Sequence, residues 1–206
     1  MLYYEQMFDK RRGRLMCLKN NDVYKACPSF ENEMFLLRKV ELKDCDDLLK
    51  VYSDEKAAPF FNSDNCGGDT FYYTSHERMK EAIAYWLWEY ERKGFVRWSI
   101  VDKTTNEAVG TIELFKRKSD DYFNACGLLR LDLRSDYEKQ KFIINIMSLI
   151  FTPTFKLFHC SKIATKAVPA ATERIKALKD IGFALSEKKL IGHDGTAYNN
   201  YFVIEK

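Results

Sequence analysis

Leu129, Leu131 and Leu133 alternate with Arg130, Asp132 and Arg134, the period of two that marks a strand. The pattern then changes. Phe142, Ile146 and Ile150 recur every four residues, and Ile143, Met147 and Leu149 widen that stripe into one helical face. Residues 135–140 form a short polar connection, so the stretch predicts strand, tight turn and helix. Free backbone N–H groups at such a helix N-terminus, with the helix dipole, make a seat for a phosphate.

The same reading extends along the chain. Residues 34–40 (MFLLRKV) read as a strand, and Asp44-Cys-Asp-Asp47 supplies an N-cap and acidic first turn for a helix with Leu48, Val51 and Tyr52 on one face. Residues 57–73 keep no period and read as a loop whose aromatics either line a groove or plug the core. Thr74-Ser-His-Glu77 reads as a capping box, and Met79, Ile83, Trp86, Leu87 and Tyr90 give a helix that Gly94 ends as its C′ residue. Residues 95–102 and 107–116 pair as a hairpin around Lys103-Thr-Thr-Asn106. Pro153 is expected to bend or divide the central helix. A strand at 162–168, a short helix at 171–183 stopped by glycine, and an antiparallel pair at 183–190 and 198–205 complete the order. Residues 1–33 are expected to form an N-terminal appendage to one domain of residues 34–206.

Composition narrows the class. Hydrophobic content of 46% and aromatic content of 15% indicate a packed globular chain, and 206 residues suffice for one full core. The 33 basic and 30 acidic residues leave a net charge of +3, which does not mark a nucleic-acid binder. The basic run Lys10-Arg11-Arg12-Gly13-Arg14 reads as a solvated face or, in a further reading, as an RNA or ribosome contact. No apolar run reaches the ~20 residues of a membrane span, and the opening residues do not resemble a signal peptide. Six scattered cysteines and three histidines show no ligand spacing, so reduced thiols, no metal and a cytoplasmic protein are expected.

Several spaced residues carry a family resemblance. Leu131-Asp-Leu133-Arg-Ser-Asp-Tyr137-Glu-Lys-Gln-Lys141-Phe-Ile143 is similar to the strand, turn and helix of the GNAT superfamily of acyl-CoA-dependent N-acetyltransferases, in its RimJ/RimL-type branch. The opening Leu37-Arg-Lys-Val40, the hairpin with Val109-Gly-Thr-Ile112, and the later Leu178, Gly182 and Phe183 also resemble that branch. Where the family has glycines or Arg/Gln, this chain has Glu138, Lys141 and Ile143. The resemblance implies a mixed α/β fold with a mostly antiparallel central sheet, splayed central strands and flanking helices. It further implies acetyl-CoA as co-substrate, its pantetheine arm along Leu131 and Leu133 and its pyrophosphate over Glu138, Lys139, Gln140, Lys141, Phe142 and Ile143.

Acetyl transfer to an amine requires an anchored donor and a deprotonated acceptor. Glu113, projecting opposite to Ile112 and Leu114, and Asp132 on the central strand are the candidate catalytic carboxylates; a solvated face is the alternative for each. The position that holds serine in the family is Arg174, which either pairs with a CoA phosphate or is solvated. Tyr137, Tyr198 and Tyr201 are further proton donors. The leading expectation is an N-acetyltransferase acting on a peptide N-terminus or a small amine, as a monomer or homodimer. The alternative is a degenerate GNAT domain serving as a CoA-binding or regulatory module without catalysis.

Overall fold

The computed structural model describes residues 22–206, so the basic run at 10–14 lies outside the described residues. Two β-branch-rich hairpin partners, β3 (Val96–Asp102) and β4 (Glu107–Lys116), lie beside the alternating strand β5 (Gly127–Leu133) in an eight-stranded sheet. On the β3 side the sheet continues through β2 (Phe35–Lys39) to β1 (Phe30–Glu31). On the β5 side it continues through β6 (Lys162–Lys166) and β10 (Tyr201–Glu205) to β7 (Ala184–Leu185). Every neighbouring pair is antiparallel except β5 with β6. That one parallel pair follows from its connection, the helix α3 (Gln140–Leu157), because parallel neighbours need a long crossover. The expected closing pair is divided: β7 joins β10, while β8 (Leu190–Ile191) and β9 (Ala197–Tyr198) form a separate small ribbon.

Two apolar layers cover the sheet. Leu129, Leu131 and Leu133 of β5 face α3 and α4 (Thr172–Ile181), packing with Ile112, Leu114, Trp98 and Ile100 against Ile143, Met147, Ile150, Ala177 and Leu178. The buried stripe of α3 is centred on Ile143, Met147 and Ile150, one residue round from the expected one, with Phe142 and Leu149 half-buried at its margins. Each fully buried Ile or Leu contributes ~1.5–3 kcal/mol. Pro153 does not divide the element, since α3 runs unbroken through it; the ring removes one donor from the ladder and the helix continues to Leu157. On the opposite face, α1 (Cys45–Tyr52) and α2 (His76–Glu91) bring Leu48, Val51, Tyr52, Ile83 and Trp86 onto Phe61 and Phe71 of the connecting loop.

The caps differ from expectation in instructive ways. Ser75, not Thr74, caps α2, its Oγ accepting from Arg78 N at 3.2 Å. Asp44 stands at the N-cap of α1 as expected, but its side chain makes no cap hydrogen bond, because the carboxylate is taken by Arg38, by the Glu41 N–H at 3.0 Å and by Ser99 Oγ at 2.7 Å. At the end of α2 the left-handed residue is Lys93, φ 64°. Gly94 follows it for want of room, since a Cβ there would lie 1.8 Å from Glu89 Oε2. Gly182, φ 108°, does terminate α4 as expected. Residues upstream of β1 join the first layer: Tyr90 OH donates to Val23 O at 3.0 Å and Trp98 Nε1 to Pro28 O at 2.8 Å. Gly110 of β4 lies so near β5 that a Cβ would meet Asp132 O at 2.3 Å.

Candidate active site

β5 and β6 separate partway along. Gly127, Leu128 and Leu129 pair with Ile163, Ala164 and Thr165. Beyond that point β5 runs on to Leu133 paired only with β4, while β6 runs on to Lys166 paired with β10. The expected splay is present and opens four residues before Leu133. Arg174 of α4 fills it. Its Nε and Nη2 donate to the two Glu138 oxygens at 2.8 and 2.6 Å, and its Nη1 donates to Leu131 O at 2.9 Å and to Phe60 O at 3.0 Å. Arg174 is 1% exposed. It is therefore neither solvated nor aimed at a phosphate, the two roles expected of it, because Glu138 and two carbonyls saturate it.

A second ionic group lies on the other face of the same strands. Arg97, Glu113 and Arg130 stand opposite one another across β3, β4 and β5. Arg97 Nη2 donates to Glu113 Oε2, and Arg130 Nη1 to Glu113 Oε1 at 2.7 Å. Arg97 Nη1 further reaches Tyr52 OH at 2.8 Å, Thr111 Oγ1 at 3.1 Å and Asp132 Oδ2 at 3.2 Å, and Tyr52 OH donates to Asp132 Oδ2 at 2.8 Å. The Arg97 guanidinium also stacks over Trp86 at 4.1 Å. Glu113 and Asp132 are thus brought together, but neither is on a solvated face: they are 1% and 0% exposed, because α1 and α2 cover that side.

Their proton affinities diverge. Burial pushes the Glu113 carboxyl up, but Arg97 and Arg130 outweigh it and hold the group below the usual carboxylate range. Burial raises Asp132, and Arg97 does not fully oppose it. Asp132 Oδ1 is buried without a hydrogen-bond partner. Burial and the neighbouring Asp132 push the Tyr52 hydroxyl well above its ordinary value, so it remains a donor.

The network leads to a cavity. Arg130 Nη2 donates to Asp64 O at 2.9 Å, and the Asp64 carboxylate accepts from Tyr201 OH at 3.0 Å and Lys166 Nζ at 2.5 Å. Asp64 lies in the α1–α2 loop, where residues 63–70 line about 530 Å³ together with His193, Asp194 and Tyr198. The loop aromatics Phe61 and Phe71 plug the second core, while its polar and glycine residues line this cavity.

The remaining expected residues gather around the start of α3. Leu131 and Leu133 are core residues facing that helix. Phe142 packs edge-on against Phe35 at 5.9 Å and tilted against Tyr137 at 5.2 Å. Lys139 and Lys141 are exposed. The N–H groups of Glu138, Lys139, Phe142 and Ile143 donate to carbonyls within the turn, and that of Gln140 to Glu173 Oε2 at 3.2 Å. The candidate donors Tyr137 and Tyr201 are each committed to a carboxylate, Asp102 at 2.7 Å and Asp64 at 3.0 Å. Among the described residues, one His/Cys/carboxylate group is close enough to share an ion: His76 Nδ1 lies 3.3 Å from Asp46 Oδ1 and 3.9 Å from Cys45 Sγ. Two helix N-termini converge there, and their positive ends disfavour a dication. Sequence reasoning passed over Arg97, Arg130, Tyr52 and Asp64. For Arg97 and Arg130 the available signal was charge at the off-period positions of neighbouring strands; Tyr52, on α1, and Asp64, in a loop, carried no such signal.

A splayed parallel pair, a crossover helix beginning at the split and a polar layer beneath it define an acyltransferase architecture. The acetyltransferase (GNAT) domain family model matches residues 35–184, and the chain belongs to that family of acyl-CoA-dependent acetyltransferases. Among solved structures it is similar to a GNAT-family acetyltransferase from Bacillus anthracis (15% identity, TM-score 0.62, covering 86% of this chain and 98% of that one). It is also similar to a ribosomal-protein-S5-alanine acetyltransferase from Vibrio fischeri (17% identity, TM-score 0.63, covering 87% and 96%). A third is RimL, a ribosomal L7/L12 α-N-protein acetyltransferase in complex with coenzyme A (13% identity, TM-score 0.64, covering 86% and 98%). At these identities the likeness is one of fold. None of the curated proteins matches the chain in sequence. Among the described residues no helix is long and apolar enough to cross a membrane. Arg174 Nη1 caps the Leu131 carbonyl at 2.9 Å, on the strand edge that the splay leaves without a strand partner.

Proposed function

We propose that the protein acetylates a primary amine, on a peptide N-terminus or a small molecule, with acetyl-CoA as donor. The observation that carries this reading is the unpaired half of β5, which holds Asp132 and connects through Arg130 to the cavity at Asp64. Asp64 and Asp69 line that cavity already paired with Lys166 and Arg78, which leaves the Asp194 carboxylate as the lining anion an ammonium group would meet. Such a group, of pKa ~8 for an α-amine or ~10.4 for lysine, must lose a proton before it attacks. Of the two carboxylates, Asp132 suits proton acceptance better: its affinity for protons is raised and one oxygen has no donor. Glu113, gripped by two guanidiniums, acts as a positioning residue for them. Lys139 and Lys141, exposed at the start of α3, supply charge toward the anionic end of the donor. The free thiols among the described residues suit a reducing, cytoplasmic setting.

Turnover of labelled acetyl-CoA on a panel of peptides and small amines tests the reading. At least one amine should be acetylated, and Asp132→Asn should lower turnover per folded molecule by ~10²–10⁴. A protein that binds acetyl-CoA yet acetylates no amine would refute it. The second reading, a domain that has lost transfer and serves as a binding or regulatory module, is favoured by one observation: Arg174 and Glu138 fill the splay.

A further inference from the structure

We infer that Arg174 is a gate on the acyl-CoA cleft, held shut by Glu138. This rests on the acetyl-CoA reading above and concerns the regulation of the same site. Three observations converge. The hydrogen-bonding edge of β5 beyond Leu129 has no strand partner, and its Leu131 carbonyl is instead capped by Arg174 Nη1 at 2.9 Å. The same nitrogen reaches Phe60 O at 3.0 Å. Arg174 starts from α4, beside the α3 layer, whereas Phe60 belongs to the loop between α1 and α2, so the side chain passes through the sheet at the split. Both remaining guanidinium contacts go to Glu138 in the turn that leads into α3, and the pair is 1% and 9% exposed.

An extended ligand arm that pairs with a strand edge needs that edge free. With the guanidinium in place, Leu131 O already accepts from Arg174 and the passage between the two faces is filled. Glu138 adds a like-charge barrier to any phosphate approaching the start of α3. A change of Arg174 rotamer, with separation from Glu138, opens both at once, while Glu173 and Gln140 keep α4 tied to α3. Apparent affinity for the donor is then the intrinsic affinity reduced by the fraction of molecules in the open state.

Calorimetric titration of full-length protein with acetyl-CoA tests the gate in wild type, Arg174→Ser and Glu138→Gln. Removing the bolt or its keeper should tighten binding by about 10-fold or more, the tax that a closed majority imposes. Damage to the fold cannot produce that gain. Should Arg174→Ser fail to fold, Glu138→Gln, which keeps the side-chain volume, must give the same direction. Equal or weaker binding by a folded variant than by wild type overturns the gate. Absence of binding by wild type and both folded variants overturns the acetyl-CoA reading itself, a result distinct from the previous one.

Discussion

Glu113→Gln should destabilise the protein severely, and the size of the effect follows from what the carboxylate holds. Glu113 is 1% exposed, and each oxygen accepts from a different buried guanidinium. Glutamine offers one oxygen and one NH₂ group, so a donor must face one of the arginines. The change also leaves Arg97 with Asp132 as its remaining carboxylate partner and Arg130 with the backbone carbonyl of Asp64. Breaking a buried ion pair from one side costs ~3–5 kcal/mol, out of a total stability of ~5–15 kcal/mol. With a urea m-value of ~2 kcal/mol/M, the unfolding midpoint should fall by about 2 M. Removing one cation as well, in Glu113→Gln/Arg130→Met, should recover a substantial part of the loss. The pH dependence has a fixed sign. The folded carboxyl lies below its ordinary range, so its contribution is complete above the unfolded pKa of ~4.3 and disappears as pH falls through the lower folded value. The gap between wild type and variant should therefore narrow below about pH 4. A midpoint shift under about 0.3 M at neutral pH would refute the reasoning, since it would mean the two arginines do not depend on this carboxylate.

Two further outcomes are expected. Gly110→Ala puts a methyl group 2.3 Å from the backbone oxygen of Asp132, which cannot swing aside, so thermal denaturation should show a loss of ~1–3 kcal/mol or more; an unchanged melting temperature would contradict the β4–β5 spacing. Asp121 is pushed up by burial but drawn down to about 2 by Arg117 and by backbone donors, so its stabilisation should be lost between about pH 4 and pH 2, and Asp121→Asn should flatten that limb of the stability curve.

The element order was legible because period and punctuation agreed. Alternating leucines marked β5, the four-residue repeat marked α3, and Gly182 marked the end of α4. The splay came from resemblance, since strand separation leaves no signature in periodicity. The site was less legible for a definite reason. Alternation in β5 marks one apolar face and leaves the other open to catalysis or solvent, whereas α1 and α2 bury that second face as well. Arg97, Glu113, Arg130 and Asp132 are all polar positions by pattern, yet they are core residues in the fold. Arg174 was misplaced for the same reason: a charged residue on a short helix suggests solvent unless its partner is known. That partner, Glu138, lies 36 positions away in a different element.

The cross-strand row of Arg97, Glu113 and Arg130 has an evolutionary consequence. A surface charge can change by single steps, each nearly neutral. In this row a single step strands a buried charge, so the intermediate between two viable states is itself barely viable. Descendants of this chain should therefore keep all three residues or lose them together, passing through the exchange only where stability elsewhere is in surplus. The three positions then behave as one inherited character spread over three strands, and substitution histories at 97, 113 and 130 should be correlated while those at the leucines on the opposite face drift independently.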